Sequence, residues 1–102
     1  METTRAAAVR ILVADDEGDI RDGAERILKR MGYDVLKAAR GDDALKLIDA
    51  SRPEIVLLDL KMPGKDGMEV LAHIRQQHPT ILAIIITGYA TVDAAIAAMK
   101  RG

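Results

Sequence analysis

Four short apolar runs alternate with four segments of helical periodicity, and this alternation constrains the fold more than any other feature of the sequence. The runs are VRILVAD (9–15), YDVLKAA (33–39), EIVLLD (54–59) and TILAIIIT (80–87). Between them, apolar residues recur at helical spacing. Ile20, Ala24, Ile27, Leu28 and Met31 form the first such face, stopped by Gly32. Ala44, Leu45 and Ile48 form the second, with Asp42 or Asp43 as its cap and an end before Pro53. Met68, Leu71, Ile74 and Arg75 mark a third, ending before Pro79, and Val92, Ala95, Ile96 and Met99 a fourth, with Thr91 as N-cap. The pattern is βαβαβαβα. Continuous apolar strands in strict alternation with helices predict an α/β domain: a doubly wound parallel sheet, covered on both faces and joined by right-handed crossovers.

The 102 residues suffice for one small domain with a single sheet and no second unit. With two Tyr and no Phe or Trp, the core must be built from Ile, Leu, Val, Ala and Met. Fifteen basic residues against sixteen acidic ones create no field that would draw in nucleic acid or a membrane surface. The absence of Cys excludes disulfides and thiolate metal sites and fits a reducing, cytoplasmic setting. The N-terminal METTRAAAV is too short in apolar residues for a signal peptide, and residues 1–8 read as a tail ahead of a domain spanning 9–102.

In a parallel sheet all strands end on the same edge, and ligands bind there where the strand order reverses. The first strand ends at Asp15 and Asp16, with Glu17 following; the third ends at Asp59; the fourth ends at Thr87 and Gly88. Acids far apart in sequence should therefore meet. Two carboxylates about 4 Å apart repel by about 1 kcal/mol in water and about 4 kcal/mol at an effective dielectric of 20. Such a cluster keeps a proton or binds a cation. An all-oxygen donor set suits Mg²⁺, which holds one or two carboxylates and completes its shell with water and phosphate oxygens. Asp59, alone on a central strand, is placed as a nucleophile toward phosphorus, with the acidic pair as metal ligands and the Thr87 hydroxyl as a partner for a phosphoryl oxygen. Glu17 and Asp19 are expected to serve the N-terminus of the first helix.

ILVADDE, IVLLDLKMPGKDG and IIITGYATVDAAIAAMKRG together resemble the receiver domain of two-component response regulators, in a style common among enhancer-binding transcriptional activators. The resemblance runs from about Val9 to the end of the chain. It implies the flavodoxin-like strand order 2-1-3-4-5. It also implies that Asp59 accepts a phosphoryl group from a phosphohistidine on a sensor histidine kinase. Asp16, Asp59 and the backbone carbonyl of Lys61 would bind Mg²⁺ directly, and Asp15 largely through water. Thr87 would be the switch hydroxyl; Lys61, Gly88 and Tyr89 would line the mouth; Met62, Pro63 and Gly67 would shape the loop, with Gly67 opening the third helix. The family also has a fifth strand, ending in a lysine, and a fifth helix. This chain stops at Gly102, and neither Lys100 nor Tyr89 occupies a matching position. It therefore reads as a receiver truncated after its fourth βα unit, with ILAIII as an edge strand suited to self-association together with the last helix.

Two other functions compete with this reading. A Mg²⁺-dependent phosphohydrolase with an aspartyl nucleophile would place a second acid two residues after it, where this chain has Lys61. A receiver-derived self-association module that no longer performs phosphotransfer is the other. His73 and His78 lie away from the acidic edge and read as surface or helix-end residues, and the methionines as core fillers.

Overall fold

Each apolar run forms a strand and each periodic segment a helix. The computed structural model describes residues 8–86 and 89–100, so all but the last residue of the expected N-terminal tail, together with Thr87 and Gly88, falls outside the described residues. The order is β1 (Arg10–Ala14), α1 (Gly18–Arg30), β2 (Asp34–Ala38), α2 (Gly41–Ser51), β3 (Ile55–Asp59), α3 (Gly67–Gln77), β4 (Leu82–Ile86) and α4 (Tyr89–Lys100). The strands form one parallel sheet in the order β2-β1-β3-β4. The chain moves outward from β1 to β2, then returns to lay β3 on the other side of β1. The order reverses between β1 and β3.

Side-chain alternation along the strands divides the interior into two cores. Ile11 and Val13 of β1 and Leu57 of β3 pack with Ile20, Ala24 and Leu28 of α1 and with Val92 and Ile96 of α4. Leu12, Ala14, Val56 and Leu58 face the other way, onto Ala44 and Ile48 of α2 and Val70 and Ile74 of α3. The four residues Ile11–Ala14 are wholly buried, as a strand covered on both faces requires. Each such aliphatic side chain larger than Ala contributes about 1.5–3 kcal/mol on leaving water. Among the described residues no helix is long and apolar enough to cross a membrane.

The helix ends explain the exit points of the chain. Gly32, at φ 94°, closes α1. Its amide donates to the Lys29 carbonyl at 3.0 Å and the Tyr33 amide to Leu28 at 3.1 Å. This is a Schellman stop, and Tyr33 then packs onto the core that holds Leu28. Asp66 caps α3 by accepting from the Glu69 amide at 3.0 Å.

Several local expectations are corrected. Ile27 and Met68 are exposed; α3 buries Ile74 as expected and covers Leu71 in part, but Gly67 and Val70 complete its buried face. Neither Asp42 nor Asp43 caps α2: the helix starts at Gly41 with Arg40 at the cap position, and both acids lie in its first turn, beside the positive end of the helix dipole. Helix α4 begins at Tyr89, so Thr91 is inside it and is not its cap.

Candidate functional site

The register that pairs Ala14 with Leu58 brings the next residues, Asp15 and Asp59, to the same edge of the sheet, at the point where the strand order reverses. Asp16 follows in the turn to α1. Carboxylate oxygens of Asp15, Asp16 and Asp59 all lie within 4.8 Å of one another. Beside them is a cleft of about 500 Å³, lined by Asp16, Glu17, Asp59, Leu60 and Lys61.

Backbone groups hold these acids in place. The Asp15 amide extends the β1–β2 ladder by donating to Ala38 at 3.0 Å. The Asp15 carboxylate turns back to accept from the Glu17 amide at 2.9 Å. Arg21, one turn into α1, reaches the Asp15 carbonyl at 2.8 Å and ties the helix to the strand end. Asp59 accepts from the Lys61 amide at 3.0 Å.

The electrostatics of the cluster favour a nearby positive charge. Asp15 is 1% exposed. Burial pushes its carboxyl above the ordinary range, the Glu17 amide partly offsets this, and the negative charges of Asp59, Asp16 and Glu17 push it further up. The donor set is all oxygen. Octahedral Mg²⁺, with bonds of about 2.0–2.1 Å, places neighbouring ligands about 2.9 Å apart and opposite ones about 4.1 Å apart. Carboxylate oxygens gathered within 4.8 Å supply the donor type that a hard divalent ion draws together.

The loop after β3 is built by close backbone approach. A Cβ on Gly67 would press on the Leu60 Cα and lie 2.6 Å from the Asp59 carbonyl oxygen. The Gly67 amide donates to Leu60 at 3.0 Å, closing residues 61–66 into a loop that leaves the cleft at Lys61. Gly41 braces the same loop from α2: its amide donates to the Pro63 carbonyl at 3.1 Å, and a Cβ there would strike the Lys65 carbonyl.

Of the residues expected at the site, Asp15, Asp16 and Asp59 come together and Lys61 borders the same cleft. Ile86 pairs with Asp59, so β4 delivers the chain to this edge; Thr87 and Gly88 lie outside the described residues, and Tyr89 opens α4. Sequence reasoning missed Arg21 and Gly41. A basic residue one turn into a helix and a glycine at a helix start carry no mark of what they touch. Glu17, assigned to the helix terminus, also lines the cleft.

A family model for the response regulator receiver domain matches residues 11–102. The chain belongs to the response regulator receiver family. This receiver domain is 39% identical over 94 residues to the nitrogen assimilation regulatory protein NtrX of Azorhizobium caulinodans, covering 90% of the chain and 21% of that protein. It is 38% identical over 84 residues to sporulation initiation phosphotransferase F of Bacillus subtilis, covering 82% of the chain and 68% of that protein. A crystal structure of a CheY-like receiver domain from Methanospirillum hungatei superposes with a TM-score of 0.77 at 31% identity, covering 94% of this chain and 77% of that one. The flavodoxin-like receiver fold and a place in two-component signalling follow from these matches. The strand order carried over from the family agrees with the sheet in its four strands.

Proposed function

We propose that the chain is a phosphorylation-controlled switch that takes a phosphoryl group from a sensor kinase phosphohistidine onto Asp59. The observation that carries this reading is the convergence of Asp59 with Asp15 and Asp16 within 4.8 Å at the sheet's reversal point. An Asp59 carboxylate oxygen forms the new O–P bond as the N–P bond breaks, and the leaving imidazole takes the electron pair and then a proton. Asp16, Asp59 and the Lys61 carbonyl would hold Mg²⁺ directly, and Asp15 through water. When bound, the ion supplies positive charge to the phosphoryl oxygens. Lys61, Gly88 and Tyr89 would line the mouth.

In this reading Thr87 is drawn toward the phosphoryl group and α4 carries the change outward. Val92 and Ile96 seat α4 on the core shared with α1, so a shift at its start re-poses a whole packed helix. The domain itself would bind neither nucleic acid nor membrane. It would act in the cytoplasm as the N-terminal part of a transcriptional regulator, and it would turn over no external substrate. The test is reaction with acetyl phosphate and Mg²⁺ followed by intact-mass analysis. One phosphoryl group should add to the parent chain and none to Asp59→Asn.

The second reading is self-association through β4 and α4 without phosphotransfer. It is favoured by one feature: β4 is an outer strand of the described sheet and Leu82 on it is exposed. Full phosphorylation of the parent chain by acetyl phosphate would exclude it as the sole function.

A further inference from the structure

Away from the acidic cleft, where β3 and β4 begin, helices α2 and α3 bring three metal-ligating side chains to one point. Asp49 is in the last turn of α2, His73 is within α3, and His78 is the residue that ends α3. His73 Nε2 lies 2.7 Å and His78 Nε2 2.8 Å from the same oxygen, Asp49 Oδ1. The ring centroids are 5.7 Å apart and the planes are inclined at 57°. All three ligand atoms lie within 4.8 Å of one another. The His78 side chain is 14% exposed and the His73 side chain 29%, whereas Asp49 is 53% exposed. Two partly sheltered imidazoles thus aim their outer nitrogens at one carboxylate on the surface.

We propose that Asp49, His73 and His78 form a binding site for a divalent transition-metal ion of the Zn²⁺ class, with water as the fourth ligand. The donor set decides the ion. Two imidazole nitrogens and one carboxylate oxygen suit Zn²⁺ and its neighbours, whereas Mg²⁺ prefers oxygen. The two ends of the domain therefore select different metals.

The geometry needs little adjustment. Tetrahedral Zn²⁺, with bonds of about 2.0–2.2 Å, separates its ligand atoms by about 3.3–3.5 Å. The observed 2.7 and 2.8 Å require the carboxylate to retreat by about 0.6 Å, and Asp49 is the member with room to do so. His78 is the fixed member. Its amide donates to the Ile74 carbonyl at 2.8 Å and its own carbonyl accepts from the Ile81 amide at 3.0 Å. Asp49, 53% exposed, leaves the cluster accessible to water. A bound ion would clasp α2 to α3 without touching the acidic cleft, so this site stands independently of the proposed phosphotransfer.

The experiment is calorimetric titration of the 102-residue chain with Zn²⁺ in millimolar Mg²⁺, added to compete for the acidic cleft, with histidine ring signals followed by NMR. One Zn²⁺ per chain should bind, shift both ring signals, and raise the melting temperature as its concentration rises. His73→Gln and His78→Gln should each weaken binding by at least about 100-fold, since loss of a merely supporting residue already costs about 10–100-fold. Asp49→Asn keeps an acceptor for an imidazole N–H but loses the charge, so it should fold normally and still bind poorly. Circular dichroism identifies any variant that fails to fold, and Asp49→Asn then decides. Asp59→Asn should leave Zn²⁺ binding unchanged. Absence of binding, an affinity in the His73 and Asp49 variants equal to that of the parent, or loss of binding in Asp59→Asn would each overturn the proposal.

Discussion

The Lys61 amide donates to Asp59 Oδ1 at 3.0 Å, so the residue two places beyond the proposed nucleophile fixes its carboxylate. The bond turns the chain sharply out of β3 and starts the loop that Gly67 closes against Leu60. The loop is therefore tied directly to the Asp59 carboxylate.

Asp59→Asn tests chemistry apart from structure. The amide oxygen can accept the same Lys61 N–H, so the loop should keep its conformation. Without Mg²⁺ the variant should be more stable than the parent by about 1 kcal/mol or more, because Asn removes the negative charge that faces Asp15. Phosphoryl uptake from acetyl phosphate should be abolished. Intact mass and thermal denaturation on the same samples check both outcomes.

Asp15→Asn should stabilise the metal-free domain. Burial and the neighbouring acids hold the Asp15 carboxyl above its ordinary range, so folding favours its protonated form. The penalty is absent below the unfolded carboxylate pKa and fully present above the folded one. At neutral pH without Mg²⁺ the variant should exceed the parent by about 1 kcal/mol or more, the scale of one relieved like-charge contact. The difference should shrink as pH falls through the carboxylate range. Added Mg²⁺ should stabilise the parent more than the variant. Urea denaturation at several pH values, with and without Mg²⁺, measures each part.

The architecture was legible in the sequence because burial on both faces demands continuous apolar strands, and only the βαβ arrangement supplies cover for both. The same logic exposed Asp15, Asp16 and Asp59, since strand ends in a parallel sheet share an edge. What failed was local. In α3, Met68, Val70, Leu71 and Ile74 permit more than one apolar stripe. The stripe of Gly67, Val70 and Ile74 prevails because Gly67 is pinned against Leu60, a tertiary contact that no periodicity reports. The meeting of Asp49, His73 and His78 was also hidden. The histidines are five positions apart, which is no helical face, and they converge because the chain leaves helical geometry at His78, with φ −138° and ψ 62°.

Gly67→Ala and Gly41→Ala should each destabilise the fold by about 1–3 kcal/mol, the usual cost of inserting atoms into packed structure. At Gly67 the added methyl meets backbone at Leu60 and Asp59, and at Gly41 it meets the Lys65 carbonyl, so neither clash can be relieved by rotating a side chain. Both substitutions should also slow phosphoryl uptake, because both displace the loop that positions Asp59. Gly23→Ala is the matched control. Gly23 lies in α1 with nothing within 4 Å of an added Cβ. Alanine there should stabilise by up to about 1 kcal/mol through helix propensity alone. Thermal denaturation of the three variants separates the effects.

The outer strand β4 carries Leu82, 55% exposed, with Ala83, Ile84 and Ile85 only partly covered. An apolar strand with one edge unpaired in the described sheet is a template for another strand. The 102-residue chain should therefore self-associate at tens of micromolar in sedimentation velocity. Leu82→Lys should reduce association, because a charge on an outer strand opposes stacking of like edges, while the buried Ile86 at the other end of β4 keeps the fold anchored. A monomeric parent chain over that range would remove β4 as an association surface. An association equal in parent and Leu82→Lys would place the contact elsewhere. If beryllofluoride with Mg²⁺ shifts the parent's association but not that of Asp59→Asn, then the surface at β4 and α4 reads the state of Asp59.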